Sequence, residues 1–475
     1  MSYPSVREFH LRKSMSPSAE TRKRSLIESA LKNFVITPAP ETTLINDQIQ
    51  QWLKQYGIAF EMDWLPTGEA RGFKQEGVSS LIELTSVLWK EEPTYLRGTR
   101  PERLGVHVAH SIVAVFQDRL GSIPTPDDVV AVEKEIRRRF ATTTASLTHC
   151  IPCRIIPEHA SPFSVGPVKF YSREDMIKRE GLSVEKSLNA FAYGPLLEFM
   201  NNQSAHWVAD VTVEGFDEKA GLERANIAVD LALTAVQIAI PTHYSRQMAR
   251  LTSCTLPTSI GSVSKVNGHP RFGRSWRDPG LGFSAGAFDQ FLLKAASILA
   301  SIGNRVEAYV TDSPALPRLD QSWSDAAYWL HEGLAEPLET VAVTKLETAI
   351  EVLLSAQSSK NSRRRLESAF EAFYGLHREC SYPPDGIRKV KDIVNAVVES
   401  RSRILHGTLS TLTAESLATD DHGGRRVLEF LCMDLVATFS LKLDAYASMD
   451  KPCDGIEKFL QFVSATRGSL NFTPL

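Results

Sequence analysis

The sequence predicts a multidomain protein in which an α+β N-terminal and middle region is followed by an all-α helical bundle. Its 475 residues are more than one ordinary core holds. Up to about residue 320, β-rich segments alternate with helical ones. From residue 322 onward Pro and Gly are scarce within long segments, and apolar residues recur at helical spacing. We therefore expect an arm at 1–45, an α+β domain at 46–320, a helical bundle at 322–449 and a C-terminal tail at 450–475.

The composition excludes several classes of protein. The formal net charge of −3 argues against a generally basic nucleic-acid coat, so any nucleic-acid contact must be local. The longest apolar stretch, residues 227–240, is interrupted by polar residues and is shorter than the roughly 20 residues of a membrane span. The N-terminus lacks the apolar core of a secretion signal. Six cysteines in so long a chain form no disulfide framework. We expect a cytoplasmic protein without membrane association.

The first 45 residues are rich in Ser, Lys, Arg and Pro and show little periodicity. This composition is typical of a poorly ordered or partner-dependent arm. Its basic run, Arg22-Lys23-Arg24, is compatible with contact to a phosphate backbone, but the sequence favours a solvated tail.

The region from 46 to 320 contains both kinds of element. β-branched and partly alternating residues predict strands at 147–156, 165–171 and 207–214. Apolar spacing predicts a helix within 124–140 and another over 218–237, which Pro241 ends. The stretch 257–283 is dense in Gly, Pro, Ser and Arg, which indicates loops and short strands.

The C-terminal region predicts five amphipathic helices with short connections, which is typical of an up-and-down bundle. The five helices are expected over 324–333, 337–356, 362–377, 387–406 and 425–449. The segment 381–386, which contains two consecutive prolines and a glycine, predicts a break between the third and fourth helices. Gly407 follows the fourth helix as glycines often do at helix ends.

The fourth predicted helix carries the most informative pattern. Its apolar stripe is formed by Ile387, Val390, Val394, Val397, Ile404 and Leu405. The spacing places Arg401 on that stripe, where a guanidinium is costly without a partner. A polar stripe runs beside it, formed by Asn395, Glu399, Ser402 and His406. Arg401 and His406 are about 140° apart around the helix, so they can flank one groove but cannot stack. A fixed charge and a proton-transfer group at one groove suit phosphate chemistry.

The segment Arg401-Ser402-Arg403-Ile404-Leu405-His406-Gly407 resembles the Arg-x4–6-His motif of HEPN domains. The segment 349–354, which contains Glu351, is similar to the acidic segment on an earlier helix of the Apea-like HEPN group, and the tryptophan-bearing entry segment 326–330 is also similar. The resemblance covers about residues 322–449. A second copy of the spacing, Arg154 to His159, includes Pro157 and extended surroundings, which indicates a chance match.

The resemblance implies metal-independent cleavage of RNA to a 2′,3′-cyclic phosphate and a 5′-hydroxyl, without cofactor or metal. It implies that His406 transfers protons, that Arg401 holds the phosphate, and that Ser402 orients a neighbour or donates to the phosphate. Glu351 would hold Arg401, and Arg403 is either a second phosphate contact or a solvent-facing charge. In this family two bundles usually pair around one cleft, which implies a homodimer.

By family analogy we expect a bacterial-type endoribonuclease of phage defence, an abortive-infection or toxin-like effector. Its substrate would be RNA, with tRNA as one candidate. Residues 46–320 would act as a sensor or regulatory domain that responds to a phage-derived trigger or a regulatory partner. Two alternatives stay open: a non-catalytic bundle that dimerises or binds nucleotides or nucleic acid, and a binding module that works only with a partner protein.

Three other patterns carry less weight. Cys150-x-x-Cys153 lacks a second ligand pair for zinc, and the residues after it look extended, which disfavours a redox motif at a helix start. The glycine-rich segment 280–286 departs from the dinucleotide-binding spacing. The runs 137–139 and 363–365 are three arginines each, and both indicate solvated helix charge, although the second could also follow RNA.

Overall fold

The computed structural model describes residues 17–40, 46–144, 146–182, 188–251, 259–267, 269–276, 278–280, 282–356, 358–382, 388–405 and 424–467. The fold is mostly helical with smaller sheets. It divides into two compact units, one made of Met1–Leu147 with Glu214–Leu222 and the other of Thr148–Val213 with Glu223–Leu475. The division predicted near residue 320 does not coincide with this one, because the middle sheet belongs to the same unit as the C-terminal helices.

The first unit combines helices with a small antiparallel sheet of order β1-β3-β2. Its elements are α1 (Pro17–Lys32), β1 (Phe34–Ile36), α2 (Asn46–Gln55), β2 (Phe60–Trp64), β3 (Ala70–Phe73), α3 (Gln75–Glu91), α4 (Pro93–Gly98), α5 (Pro101–Phe116) and α6 (Pro126–Thr143). The core lies between α1, α3, α5 and α6 and is centred on apolar side chains such as Leu84, Ile112, Phe116 and Ile136.

Residues 17–40 belong to this core, which corrects the expectation of a poorly ordered arm over that part of 1–45. Ile27, Ala30 and Leu31 on α1 are buried in the core of the unit. The ammonium group of Lys23 is buried between Glu91 and Glu133, at 2.5 and 2.8 Å. Burial alone would lower the pKa of Lys23, but the two carboxylates raise it above its ordinary value. Lys23 is therefore neither a phosphate contact nor part of a solvated tail.

The second unit begins with a five-stranded sheet of order β5-β6-β7-β4-β8. Its elements up to residue 311 are β4 (Leu147–Arg154), β5 (Phe163–Val165), β6 (Val168–Ser172), α7 (Arg173–Arg179), α8 (Leu188–Asn202), β7 (Trp207–Val213), α9 (Glu218–Ala239, which starts in the first unit), α10 (Thr242–Ser245), β8 (Ala249–Arg250), β9 (Ser259–Val266), β10 (His269–Trp276), α11 (Ala285–Lys294) and α12 (Ala296–Thr311). The predicted strands and the predicted helix at 218–237 are confirmed.

The C-terminal part of this unit is helical, as the periodicity predicts. It contains α13 (Pro317–Ala335), α14 (Glu339–Leu353), α15 (Ser359–Ala369), a π-helical turn (Phe370–Tyr374), α16 (Val390–Leu405), α17 (Gly424–Ala447) and α18 (Ile456–Thr466). On α13, Ala327, Leu330 and Leu334 are buried, as the helical spacing of these apolar residues predicts. The segment 450–475, expected as a tail, contains α18, which packs against α17 and the π-helical turn. Its Phe459 is fully buried, so this part of the chain belongs to the core.

Two backbones meet closely beside the sheet. Gly166 has a left-handed φ of 55° in the turn between β5 and β6, which favours glycine. A Cβ atom there would lie 2.3 Å from the carbonyl oxygen of Gly303 on α12, and a Cβ on Gly303 would lie 2.6 Å from the amide nitrogen of Gly166. The contact between this turn and α12 therefore depends on both glycines.

Among the described helices, no single one has the length and apolar character needed to cross a bilayer. Helices α11 and α12 meet these criteria only when they are taken together, and this pair is bent by 74°.

Candidate active site

Helix α16 presents a broad apolar face to the other C-terminal helices. The residues on this face are Val390, Ile393, Val394, Val397 and Val398, all of which are buried. The predicted stripe is thus confirmed at Val390, Val394 and Val397, and the residues at 393 and 398 widen it. Glu399 on the predicted polar stripe is exposed, and Asn395 is half-buried. The helix is therefore oriented as its periodicity predicts.

Helices α14 and α15 both pack against α16. Side chains in the first turns of α15 contact α14 on one side and α16 on the other. The Ser362 hydroxyl on α15 donates a hydrogen bond of 2.8 Å to the Glu351 carboxylate near the end of α14. The next residue, Arg363, forms an ion pair of 3.6 Å with Glu399 on α16. Ser362 and Arg363 are consecutive and lie about 100° apart around α15, so α15 is connected to α14 through Glu351 and to α16 through Glu399.

Three of the predicted site residues fall at the end of α16. Arg401, Ser402 and Arg403 lie within the helix, one turn beyond the buried Val397 and Val398. Their side chains lie outside the described part of the chain, and so do His406 and Gly407. Of the predicted site residues, Glu351 is the one whose side chain is described, and it is bound by Ser362 on α15, a helix that also packs against α16.

Glu347 is a second carboxylate on α14 that the sequence analysis did not select. It lies one turn before Glu351, and its side chain is completely buried. A buried carboxylate needs a proton, hydrogen bonds or a cationic partner. Its position among Val343, Leu346 and Ile350 is the signal that could have revealed it, because a charged residue there interrupts an apolar stripe.

A buried ionic network holds the start of α17. The sequence pattern did not predict this network. The carboxylate of Glu429 is fully buried and accepts hydrogen bonds of 2.8 Å from Arg425 and from Arg246. Arg425 also donates to the carbonyl oxygens of Gly333 and Leu334 at the end of α13. The network therefore joins α17 to the end of α13, and the buried carboxylate is paired with two guanidinium groups.

A buried carboxylate inside the bundle is held by two phenols. The Asp434 side chain on α17 accepts hydrogen bonds from Tyr374 at 2.5 Å and from Tyr382 at 3.3 Å. Burial raises the pKa of Asp434 above its ordinary value, although the two phenols act in the opposite direction. Tyr382 is buried and Tyr374 is half-buried against aromatic neighbours, so this cluster connects the π-helical turn to α17.

An open groove of about 510 Å³ lies between α15, the π-helical turn and α18. Its lining includes Arg364, Arg365, Glu371 and Glu457. Arg365 is held by Glu457 at 3.1 Å and by the carbonyl oxygen of Leu354. Because two arginines and two glutamates line the groove, it offers little net attraction to an anion.

The patterns given less weight have structural explanations. Cys150 and Cys153 are three residues apart on β4, which places them on opposite faces of the sheet. Burial raises the pKa of the Cys150 thiol to about 11. The Arg154 guanidinium donates to the Gln203 carbonyl oxygen at 3.0 and 3.2 Å, whereas His159 is exposed. Among the described residues, no three or more His, Cys, Asp and Glu side chains form a group that could hold a metal ion.

No protein-family model, curated protein or solved structure matches this chain.

Proposed function

We propose that this chain is a metal-independent endoribonuclease of the HEPN type. The observation that carries the proposal is the motif from Arg401 to His406, whose residues 401–405 form the end of α16. It differs from the copy at Arg154 to His159, because these five residues belong to an amphipathic helix that packs among other helices. The buried face of α16 supports the reading, since it fixes the helix that carries the motif.

In the proposed reaction the 2′-oxygen of a ribose attacks the adjacent phosphorus atom, and the bond to the 5′-oxygen breaks. His406 moves the proton between the attacking or leaving oxygen and solvent. Arg401 binds the phosphate and offsets the charge that grows on its oxygens. Ser402 orients a neighbouring group or donates to the phosphate, and Arg403 adds a second cation. The products are a 2′,3′-cyclic phosphate and a 5′-hydroxyl.

Glu351 is proposed as a positioning residue for Arg401. The supporting contacts are the Ser362 hydrogen bond to Glu351 and the Arg363 ion pair with Glu399, two residues before Arg401. A carboxylate held near a guanidinium restrains its side-chain conformation. We also propose that the chain forms a homodimer in which the two motifs line one cleft. Its proposed role is that of a phage-defence effector that is held inactive until a trigger arrives.

The test is cleavage of total cellular RNA by the purified full-length chain in EDTA, with analysis of product ends. We expect cyclic phosphate ends from the wild type. Loss of general acid–base catalysis should reduce the rate by about 10²- to 10⁴-fold in His406→Ala, and Arg401→Ala should be similarly impaired. Glu351→Gln should be slower while retaining the same product ends.

His159→Ala is the matched control, because His159 has the same spacing from an arginine but lies outside the helical part of the fold. It should cleave like the wild type. Equal behaviour of the wild type, His406→Ala and Arg401→Ala would overturn the proposed site. With no cleavage by any of them, the non-catalytic bundle or the partner-dependent module would replace the proposal.

A further inference from the structure

Strands β9 and β10 form an exposed two-stranded ribbon. Val266 pairs with His269 across a two-residue Asn-Gly connection, and the register continues to the pair Ser259 and Trp276. Asn267 has a left-handed φ of 52°, as the tight turn of such a ribbon requires. The side chains described between residues 261 and 274 are all exposed. The ribbon therefore presents its two faces to the surroundings.

The ribbon is cationic in a chain that is acidic as a whole. Residues 259–277 contain four arginines and lysines and neither Asp nor Glu, whereas the formal net charge of the chain is −3. Three of these cations, Lys265, Arg271 and Arg274, lie on the two strands. Like charges held at fixed spacing on a ribbon attract a polyanion more strongly than scattered ones.

One face of the ribbon combines two of these cations with an aromatic ring. Cross-strand partners share a face, so Phe272 lies beside Val263, with Lys265 and Arg274 on either side. The ring lies over Gly261, where an added Cβ would come within 3.1 Å of it. Phe272 nevertheless remains 71% exposed, and Val263 is 65% exposed. One side of the Phe272 ring thus lies against Gly261, and the other side is accessible to solvent, which suits stacking of a base.

We propose that this face binds single-stranded RNA, with a base stacked on Phe272 and phosphates contacted by Lys265 and Arg274. Aromatic platforms flanked by cations are the general means of holding single strands. The choice of RNA rests on the proposed endoribonuclease function, for which the ribbon would hold substrate. The stacking and charge arguments do not depend on that function.

The experiment measures fluorescence-anisotropy binding of a labelled single-stranded oligouridine in which every 2′-hydroxyl is methylated. Methylation prevents attack by the 2′-oxygen, so binding is observed without cleavage. Phe272→Ala should weaken binding by about 5- to 100-fold. Lys265→Ala combined with Arg274→Ala should reduce the salt dependence of log K by about 1.4, which is about 0.7 for each lost phosphate contact.

The controls are an exposed phenylalanine and two exposed lysines elsewhere. Phe191→Ala, on α8, and Lys169→Ala combined with Lys294→Ala should bind like the wild type. Absent binding, or equal binding by the wild type and the ribbon variants, would overturn the proposal. Phe272-dependent binding to phosphatidylserine vesicles without binding to the oligouridine would also overturn it, in favour of a membrane surface.

His406→Ala separates the two proposals. It should bind the methylated strand like the wild type. If it also cleaves RNA like the wild type, the endoribonuclease site fails while the ribbon proposal stands. If cleavage depends on His406 but neither ribbon variant changes binding, the ribbon proposal alone fails.

Discussion

Asp128 shows how one side chain connects a helix to the turn before it. It is the third residue of α6 and closes a capping box with Thr125, whose amide donates to the Asp128 carboxylate at 2.8 Å. Arg119 forms a bidentate ion pair with the same carboxylate. The Arg119 guanidinium, assisted by Thr125 and opposed by burial, lowers the pKa of Asp128 to about 2. The charged form is therefore strongly favoured in the folded state.

We expect Asp128→Asn to destabilise the protein in a pH-dependent manner. The pKa of Asp128 is lower in the folded than in the unfolded chain, so its contribution is present above the ordinary value of 3.8 and lost as the pH falls toward 2. The free energy of unfolding in urea should fall by about 2 kcal/mol near neutral pH. The difference from the wild type should disappear toward pH 2.

Asp127→Asn is the control, since Asp127 lies in the same helical turn but is exposed. It should change the free energy of unfolding by less than about 0.5 kcal/mol. A difference between Asp128→Asn and the wild type that persists unchanged at low pH would show that the ion pair and cap are not its source.

Several important residues were beyond prediction because their partners come from distant segments. Periodicity could predict that Arg401 follows the apolar stripe of α16, but it could not predict that Lys23 meets Glu91 and Glu133. The same holds for Glu429, which Arg246 reaches from another part of the chain. Spacing along a helix identifies the face on which a charge lies, and the opposite charge is supplied by tertiary packing.

Among the elements, the C-terminal helices were predictable in type and approximate extent. Helix α13 begins before the predicted residue 324, because Pro317 starts it and Leu319 and Trp323 extend its buried face. The third predicted helix divides into α15 and the π-helical turn, whose distortion leaves no periodic signal. Helix α1 was missed because its short apolar face is hidden in a basic, Ser-rich composition.

Helix α18 should contribute to stability like a core element. The Phe459 ring packs against Phe439 at 4.6 Å and Tyr446 at 5.4 Å, measured between ring centroids. Phe459→Ala should lower the free energy of unfolding by about 3–5 kcal/mol, because it leaves a cavity among these rings. Urea unfolding monitored by circular dichroism measures the change.

Gln461→Ala is the control on the same helix, because Gln461 is exposed. It should remain within about 0.5 kcal/mol of the wild type. If Phe459→Ala matched this control, α18 would be an attached tail, as the sequence predicted for residues 450–475.

On the scale of the whole molecule, the first unit is built from two separate parts of the chain. After the strands β4 to β7 of the second unit, residues Glu214–Leu222 return to the first unit. There the Asp217 carboxylate accepts hydrogen bonds from the Thr99 hydroxyl at 2.5 Å and the Ala220 amide at 2.9 Å. The Asp217 amide donates to the Gly98 carbonyl oxygen. Composition and periodicity gave no sign of this return.

Asp217→Ala should therefore weaken the first unit in particular. The change removes a helix cap and a buried partner of Thr99, at a cost of about 2 kcal/mol. Amide hydrogen exchange should become faster in the core of the first unit, in helices such as α3 and α5. The exposed neighbour Glu218→Ala should leave exchange unchanged. Unaltered protection in Asp217→Ala would mean that residues 214–222 do not stabilise this unit.

The paired glycines beside the sheet also bear on how the chain can diverge. A side chain at Gly166 or Gly303 would meet backbone atoms, and backbone cannot be exchanged for something smaller. Crowding in a protein is often relieved by a second substitution to a smaller side chain. No such compensating substitution is available at this contact, because the crowded atoms belong to the backbone. Descendants of this chain that keep the crossing of the β5–β6 turn and α12 should inherit both glycines together, while their surroundings are free to drift.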